Sequence, residues 1–103
     1  MDDRKEAERE YPERVGEAGR AWIRSKPFAN EPRETARHLI DAGYVIELLE
    51  LRPGMRFVEL GCGSGWMTRF VARHGLDAHG YDISPRMIEI ANEQAKAERV
   101  DAR

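Results

Sequence analysis

Apolar positions organise the chain only from Pro32 onward. Residues 1 to about 31 are charged and weakly patterned, with apolar content concentrated in Tyr11, Trp22, Ile23 and Phe28. Pro12, Gly16, Gly19, Pro27 and Pro32 interrupt any period there. The stretch predicts one or two short helices with loops, flanking a domain and not forming one. From Pro32 to about Leu51 the spacing changes. Leu39, Ile40, Tyr44, Ile46, Leu48 and Leu49 recur three and four apart, which predicts an amphipathic helix with a broad buried face. Arg52-Pro53-Gly54 ends it, because proline disfavours helix at the residue before it. Met55 to Leu60 is short and apolar and runs into glycines, as a buried parallel strand does. Gly65 to His74 places Trp66, Phe70 and Val71 on one side of a second helix, with Gly75 as its stop. Leu76 to Asp82 is a weaker second strand. Ser84-Pro85 opens a last helix, with Ser84 as N-cap and Pro85 at the first helical position. Its apolar face is Met87, Ile88, Ile90 and Ala91.

The order helix, strand, helix, strand, helix implies right-handed crossovers and a parallel sheet, an α/β fold. Only two strands are visible, and the terminal Val100-Asp101-Ala102-Arg103 resembles the start of a third. A two-stranded parallel sheet leaves an open apolar edge, through which the chain could associate with itself. The expected division is a charged flanking or lid segment over 1–31 and the first half of an incomplete domain over 32–103.

Length and charge narrow the function. A chain of 103 residues holds one domain at most. Seventeen basic and 19 acidic residues leave a net charge of -2, no electrostatic ground for a nucleic-acid or anionic-membrane partner. No apolar run approaches the roughly eighteen residues of a membrane span. The acidic N-terminus lacks the apolar stretch of a secretory signal, so cytoplasm is the expected compartment. The single cysteine, Cys62, excludes an internal disulfide. His38, His74 and His79 stand at no metal-ligand spacing and are expected on surfaces, so no metal is expected.

The informative stretch is Glu59-Leu60-Gly61-Cys62-Gly63-Ser64-Gly65, where a strand turns into a helix. Glycines at alternate positions strip Cβ atoms from one face of the loop, letting backbone amides approach a ligand at a helix N-terminus. Asp82 follows Gly61 by 21 positions and ends the second strand, where it can accept hydrogen bonds from both hydroxyls of a ribose. Taken alone, Asp82 is as well explained as a solvated strand-end acid or a cap. Glu59 can equally be a strand-end acid satisfied by backbone amides. Cys62 has no histidine tied to it by sequence and fits better as a small turn residue than as a nucleophile. The dinucleotide fingerprint G-x-G-x-x-G would need a third glycine where Trp66 stands.

The E-x-G-x-G-x-G pattern, followed by GYDISPRMIEIA, resembles the first motif, second-strand acid and following helix of class I S-adenosylmethionine-dependent methyltransferases. The similarity covers roughly residues 53 to 97. It implies a Rossmann-like, doubly wound parallel sheet, present here as its first βαβ unit plus N-terminal helices. It also implies S-adenosylmethionine as cofactor and a cofactor-binding set of Glu59, Gly61, Cys62, Gly63, Gly65, Asp82, Ile83 and Met87. In that set Glu59 would orient the turn or receive the amino end, and the three glycines would wrap the methionine and ribose. Asp82 would hold the ribose diol, while Ile83 and Met87 would pack near adenine, although Met87 by itself fits the core as well. Tyr11, Trp22 or Lys26 could close over the cofactor from the N-terminal segment. The implied reaction is methyl transfer to an unidentified acceptor, expected to be small only because the chain has no basic surplus. No catalytic base is assignable, and the 103 residues alone are expected to be inactive. Two other readings stay open: a non-catalytic cofactor-binding or assembly module, and a nicotinamide-dependent oxidoreductase.

Overall fold

The computed structural model describes residues 3–28 and 31–103, without the side chains of residues 3, 4, 8, 18 and 22. Its elements run α1 (Asp3–Arg14), α2 (Gly16–Ser25), α3 (Pro32–Leu48), β1 (Arg56–Leu60), α4 (Trp66–Ala72), β2 (Asp77–Tyr81) and α5 (Pro85–Glu98). β1 and β2 pair in parallel, from Arg56 opposite Asp77 to Leu60 opposite Tyr81. The expected alternation is therefore present. Arg103 adds to it: its amide donates to Ala78 O at 2.9 Å, and its carbonyl accepts from Gly80 N at 3.1 Å. That exchange is a parallel bridge along the outer edge of β2, so the terminal segment does begin to pair as a third strand. β2 is thus flanked on both sides and β1 on one.

Burial is one-sided. Phe57 of β1 and Ala78 of β2 join Ala42, Met67, Val71 and Leu76 in a single apolar cluster. The side chains that alternate with them face away: Val58, Leu60 and Tyr81 are exposed, Leu60 at 81%. The expectation of a buried strand thus holds for one face of β1 only, because successive right-handed crossovers place their helices on the same side of a sheet. A similar correction applies to α3. It meets the cluster through Ala42 and Val45, while Leu39, Ile40, Tyr44, Leu48 and Leu49 stay exposed. The Glu31 carboxylate starts α3 by accepting from the amides of Arg33 and Glu34, with Pro32 in the first turn. The helix ends at Leu48, short of the proline, where Glu50 takes a left-handed φ of 51°.

Of the N-terminal residues expected to break periodicity, Gly16, Pro27 and Pro32 stand at or beyond helix ends, and two do not break a helix. Pro12 lies inside α1 and Gly19 inside α2. Pro12 and Ile23 are fully buried, and Arg20 donates to the Pro12 carbonyl at 3.0 Å. Both helices pack on α5. The Ser84 hydroxyl donates to Arg9 O at 3.1 Å, Arg86 pairs with Glu13 at 3.4 Å, and Arg24 approaches Glu93 at 3.9 Å. Among the described residues no helix is long and apolar enough to cross a membrane.

Ser84 therefore holds two elements at once. It is fully buried, accepts from the Met87 amide as the cap of α5 and bonds α1. Replacing Ser84 with Ala should lower stability by about 1–2 kcal/mol, read from urea unfolding. A loss of only a few tenths would mean that the cap contributes nothing of note.

Candidate functional site

Between β1 and α4 the chain takes three left-handed steps, at Gly61, Gly63 and Gly65, with φ of 74°, 57° and 78°. An L side chain would be strained at each. Space separates their roles. A Cβ on Gly61 or Gly63 would meet nothing within 4 Å, whereas one on Gly65 would lie 3.0 Å from the Ala91 Cβ. The first two leave bare backbone facing open space, while the third lets α4 approach α5. Gly65, expected to wrap a cofactor, is also the point where α4 and α5 meet. Three amides of the turn, upstream of the first residues of α4, are engaged within the fold. Those of Gly61 and Cys62 donate to Tyr81 O at 2.7 and 2.9 Å, and that of Gly65 donates to Cys62 O at 2.9 Å.

Asp82 closes the turn from the other strand. Its Oδ2 accepts from the Gly63 amide at 2.8 Å and its Oδ1 from the Ser84 amide at 2.9 Å. Each oxygen keeps a lone pair for a further donor. Two adjoining clefts share Gly61 and Asp82. One, of about 400 Å³, is completed by Lys5, Leu60, Tyr81 and Ile83. The other, of about 380 Å³, is completed by Tyr11 and Met87. The structure thus gathers Gly61, Asp82, Ile83 and Met87 from the expected set, with Tyr11 from the three lid candidates. Leu60, Tyr81 and Lys5 were missed. The first two end paired strands opposite one another, a position that a strand-end argument could have reached, whereas nothing in the sequence marks Lys5. Lys26 lies instead in a separate cavity with Trp66 and Phe70, and the side chain of Trp22 falls outside the described residues.

The remaining expected residues sit behind the turn. Glu59 accepts from the Thr68 hydroxyl at 2.7 Å, which ties the end of β1 to α4. Burial pushes its carboxyl pKa up, the Thr68 hydrogen bond opposes that shift, and the nearby Asp82 charge adds to it. Cys62 is buried and lines a different cavity, of about 250 Å³, with Gly80, Thr68 and Ala91. It is therefore not a wall of the Asp82 clefts. Burial, helped by the Asp82 and Glu59 charges, pushes its thiol up to about 11, so it is no nucleophile at neutral pH. Among the described residues no group of three or more His, Cys, Asp or Glu could hold a metal. His38, expected on the surface, is half-buried and packs edge-on against Trp66 at 5.4 Å.

Comparison with known proteins places this geometry. A family model described as a methyltransferase domain matches residues 29–103. The magnesium-protoporphyrin O-methyltransferase of Rhodobacter capsulatus is 34% identical over 87 residues, covering 79% of this chain and 39% of that protein. A SAM-dependent methyltransferase from Thiobacillus denitrificans, solved in complex with S-adenosyl-L-homocysteine, is 35% identical with a TM-score of 0.53, over 60% of this chain and 25% of that one. The magnesium protoporphyrin IX methyltransferase of Synechocystis PCC 6803, solved with bound SAH, superposes with a TM-score of 0.72 over 95% of this chain and 47% of that one. At 22% identity that likeness speaks to the fold, a Rossmann-like α/β sheet of which these residues form part. The chain spans less than half the length of each of these proteins.

Glu59 gives the site a pH dependence of defined sign. A carboxyl held above its ordinary value of 4.5 stabilises the fold fully below that value, and the contribution is lost as pH rises through the folded-state pKa. Glu59→Gln, which stays neutral and still accepts from Thr68, should gain stability relative to the wild type between about pH 4 and about pH 8. Urea unfolding at both ends checks this, and a difference that does not grow with pH would contradict it.

Proposed function

The chain belongs to the methyltransferase-domain family, and from that premise we propose that it carries the S-adenosylmethionine site of a methyl-transferring enzyme. The observation that carries the reading is Asp82 and the bare backbone of Gly61 meeting on shared clefts, with Ile83 and Met87 alongside. These residues fit the cofactor in kind. The Asp82 oxygens have lone pairs for a ribose diol, Gly61 leaves room for close backbone approach, and Ile83 and Met87 offer apolar sides to an adenine ring. Glu59 and Gly63 act on the turn, the first through Thr68 and the second through Asp82. S-adenosylmethionine, when bound, supplies a methyl already activated on its sulfonium. The residues of this chain bind and orient it, and Tyr11 and Lys5 of α1 border the clefts as a partial cover. Orientation of this kind can account for several orders of magnitude in rate.

A small-molecule acceptor and a cytoplasmic location complete the reading. The first is supported by the acceptor named for the Rhodobacter relative and by the absence of a basic surplus. The bulky Trp66, packed against His38, occupies the place where a dinucleotide turn needs glycine, which disfavours a nicotinamide cofactor. The edge of β1 that pairs with no described strand, with Val58 exposed on it, favours self-association of the isolated 103 residues, which we expect to be a poor enzyme.

Asp82→Ala should weaken S-adenosylhomocysteine binding at least about tenfold in calorimetric titration, since each charged hydrogen bond lost is worth about 1.5–3 kcal/mol. NAD should fail to displace that ligand. Unchanged affinity would remove the ribose assignment, and preference for NAD would overturn the cofactor. Light scattering of the isolated chain should show size rising with concentration, and a monomer throughout would remove the self-association.

A further inference from the structure

Behind the glycine turn lies a charged side chain that the cofactor reading does not use. Arg69 of α4 is 3% exposed. Its Nη1 donates to the Ser64 carbonyl, and its Nε stands 3.0 Å from Glu98 Oε2 at the end of α5. The other oxygen of Glu98 takes Arg73 at 2.7 Å, so the acid is itself held in place. A Cβ on Gly65 would come 3.2 Å from Arg69 Nη1, so the guanidinium fills the space directly behind the turn. The Ser64 carbonyl belongs to the peptide unit through which the chain enters Gly65 at its left-handed φ of 78°. Gripping that oxygen fixes the last left-handed step before α4.

An apolar side chain could fill the same volume without the desolvation that a buried guanidinium suffers. What the charge adds is direction, because the planar group donates to a carbonyl through Nη1 while its charge is paired with a carboxylate beside Nε. We propose that Arg69 is a positioning residue for the cofactor site, holding the Ser64 carbonyl, braced by Glu98, so that the turn keeps its binding shape. The proposal rests on the S-adenosylmethionine reading for its ligand, though not for its geometry.

The test uses the full chain with Arg69→Met and, as control, Val71→Ala, a buried core change in the same helix. S-adenosylhomocysteine affinity, Gly65 amide exchange and melting temperature are measured for each. Arg69→Met should weaken binding and speed Gly65 exchange by at least about tenfold beyond what Val71→Ala does at a comparable loss of melting temperature. Equal effects in the two variants would make Arg69 merely structural and overturn the proposal. Where Arg69→Met does not fold, Glu98→Gln removes the brace while keeping the volume, with the same two outcomes. Should the wild type fail to bind the ligand at all, the cofactor reading falls, and the Gly65 exchange comparison alone still decides the role of Arg69.

Discussion

The Asp82 carboxylate is the junction on which the rest of the structure depends. By accepting from Gly63 at 2.8 Å and Ser84 at 2.9 Å, it ties the glycine turn, the end of β2 and the start of α5 to one group. Hydrogen bonds to an ionised acceptor are roughly twice as strong as neutral ones. The neighbouring carbonyl of Tyr81 takes two more amides from the same turn, those of Gly61 and Cys62. Tyr81 and Asp82 thus take three amides of the turn, beside the turn's own bond from Gly65 to Cys62 O and the bond from Arg69 to Ser64 O. The shape of the turn follows from the register that sets Leu60 opposite Tyr81.

Behind that junction the packing is tight and in front of it the molecule is open. A Cβ on Gly80 would lie 2.9 Å from both the Cys62 side chain and the Thr68 hydroxyl, so β2 meets the back of the turn with no room for a side chain. Glu59, Thr68 and Cys62 share this layer, and burial there raises the pKa of both the acid and the thiol. Arg69 completes the layer from α4. In front, Gly61 and Gly63 face open space, and the clefts at Asp82 are walled by residues from α1, both strands and the start of α5. A rigid back and a bare front suit a turn that must present backbone to a ligand.

The N-terminal helices belong to this arrangement physically. Ser84 joins α1 to the cap of α5, and α5 starts three residues after Asp82. α1 is thus joined to the carboxylate through one short segment, and Tyr11 borders the cleft from the same helix. The charge pairs Arg86–Glu13 and Arg24–Glu93 also cross this contact, though exposed acids make such pairs weak.

By itself the sequence determined the α/β alternation, the glycine turn, the acid in register with it and the Ser84-Pro85 helix start. Each is a local signal, written in the spacing of a few neighbouring residues and in backbone conformations that only glycine or proline readily accepts. Tertiary structure decided the rest. It placed Gly65 against Ala91 and Cys62 behind the turn, and it brought Lys5 and Tyr11 across to Asp82. It also left the apolar stripe of α3 and the outer face of β1 exposed, where their composition alone reads as buried. The reason is physical: periodicity shows that a face is apolar, but which face is covered depends on the side to which the crossovers deliver the helices. Likewise, a residue distant in the chain reaches the site only because a helix docks, and docking is a property of surfaces that no short stretch of sequence contains.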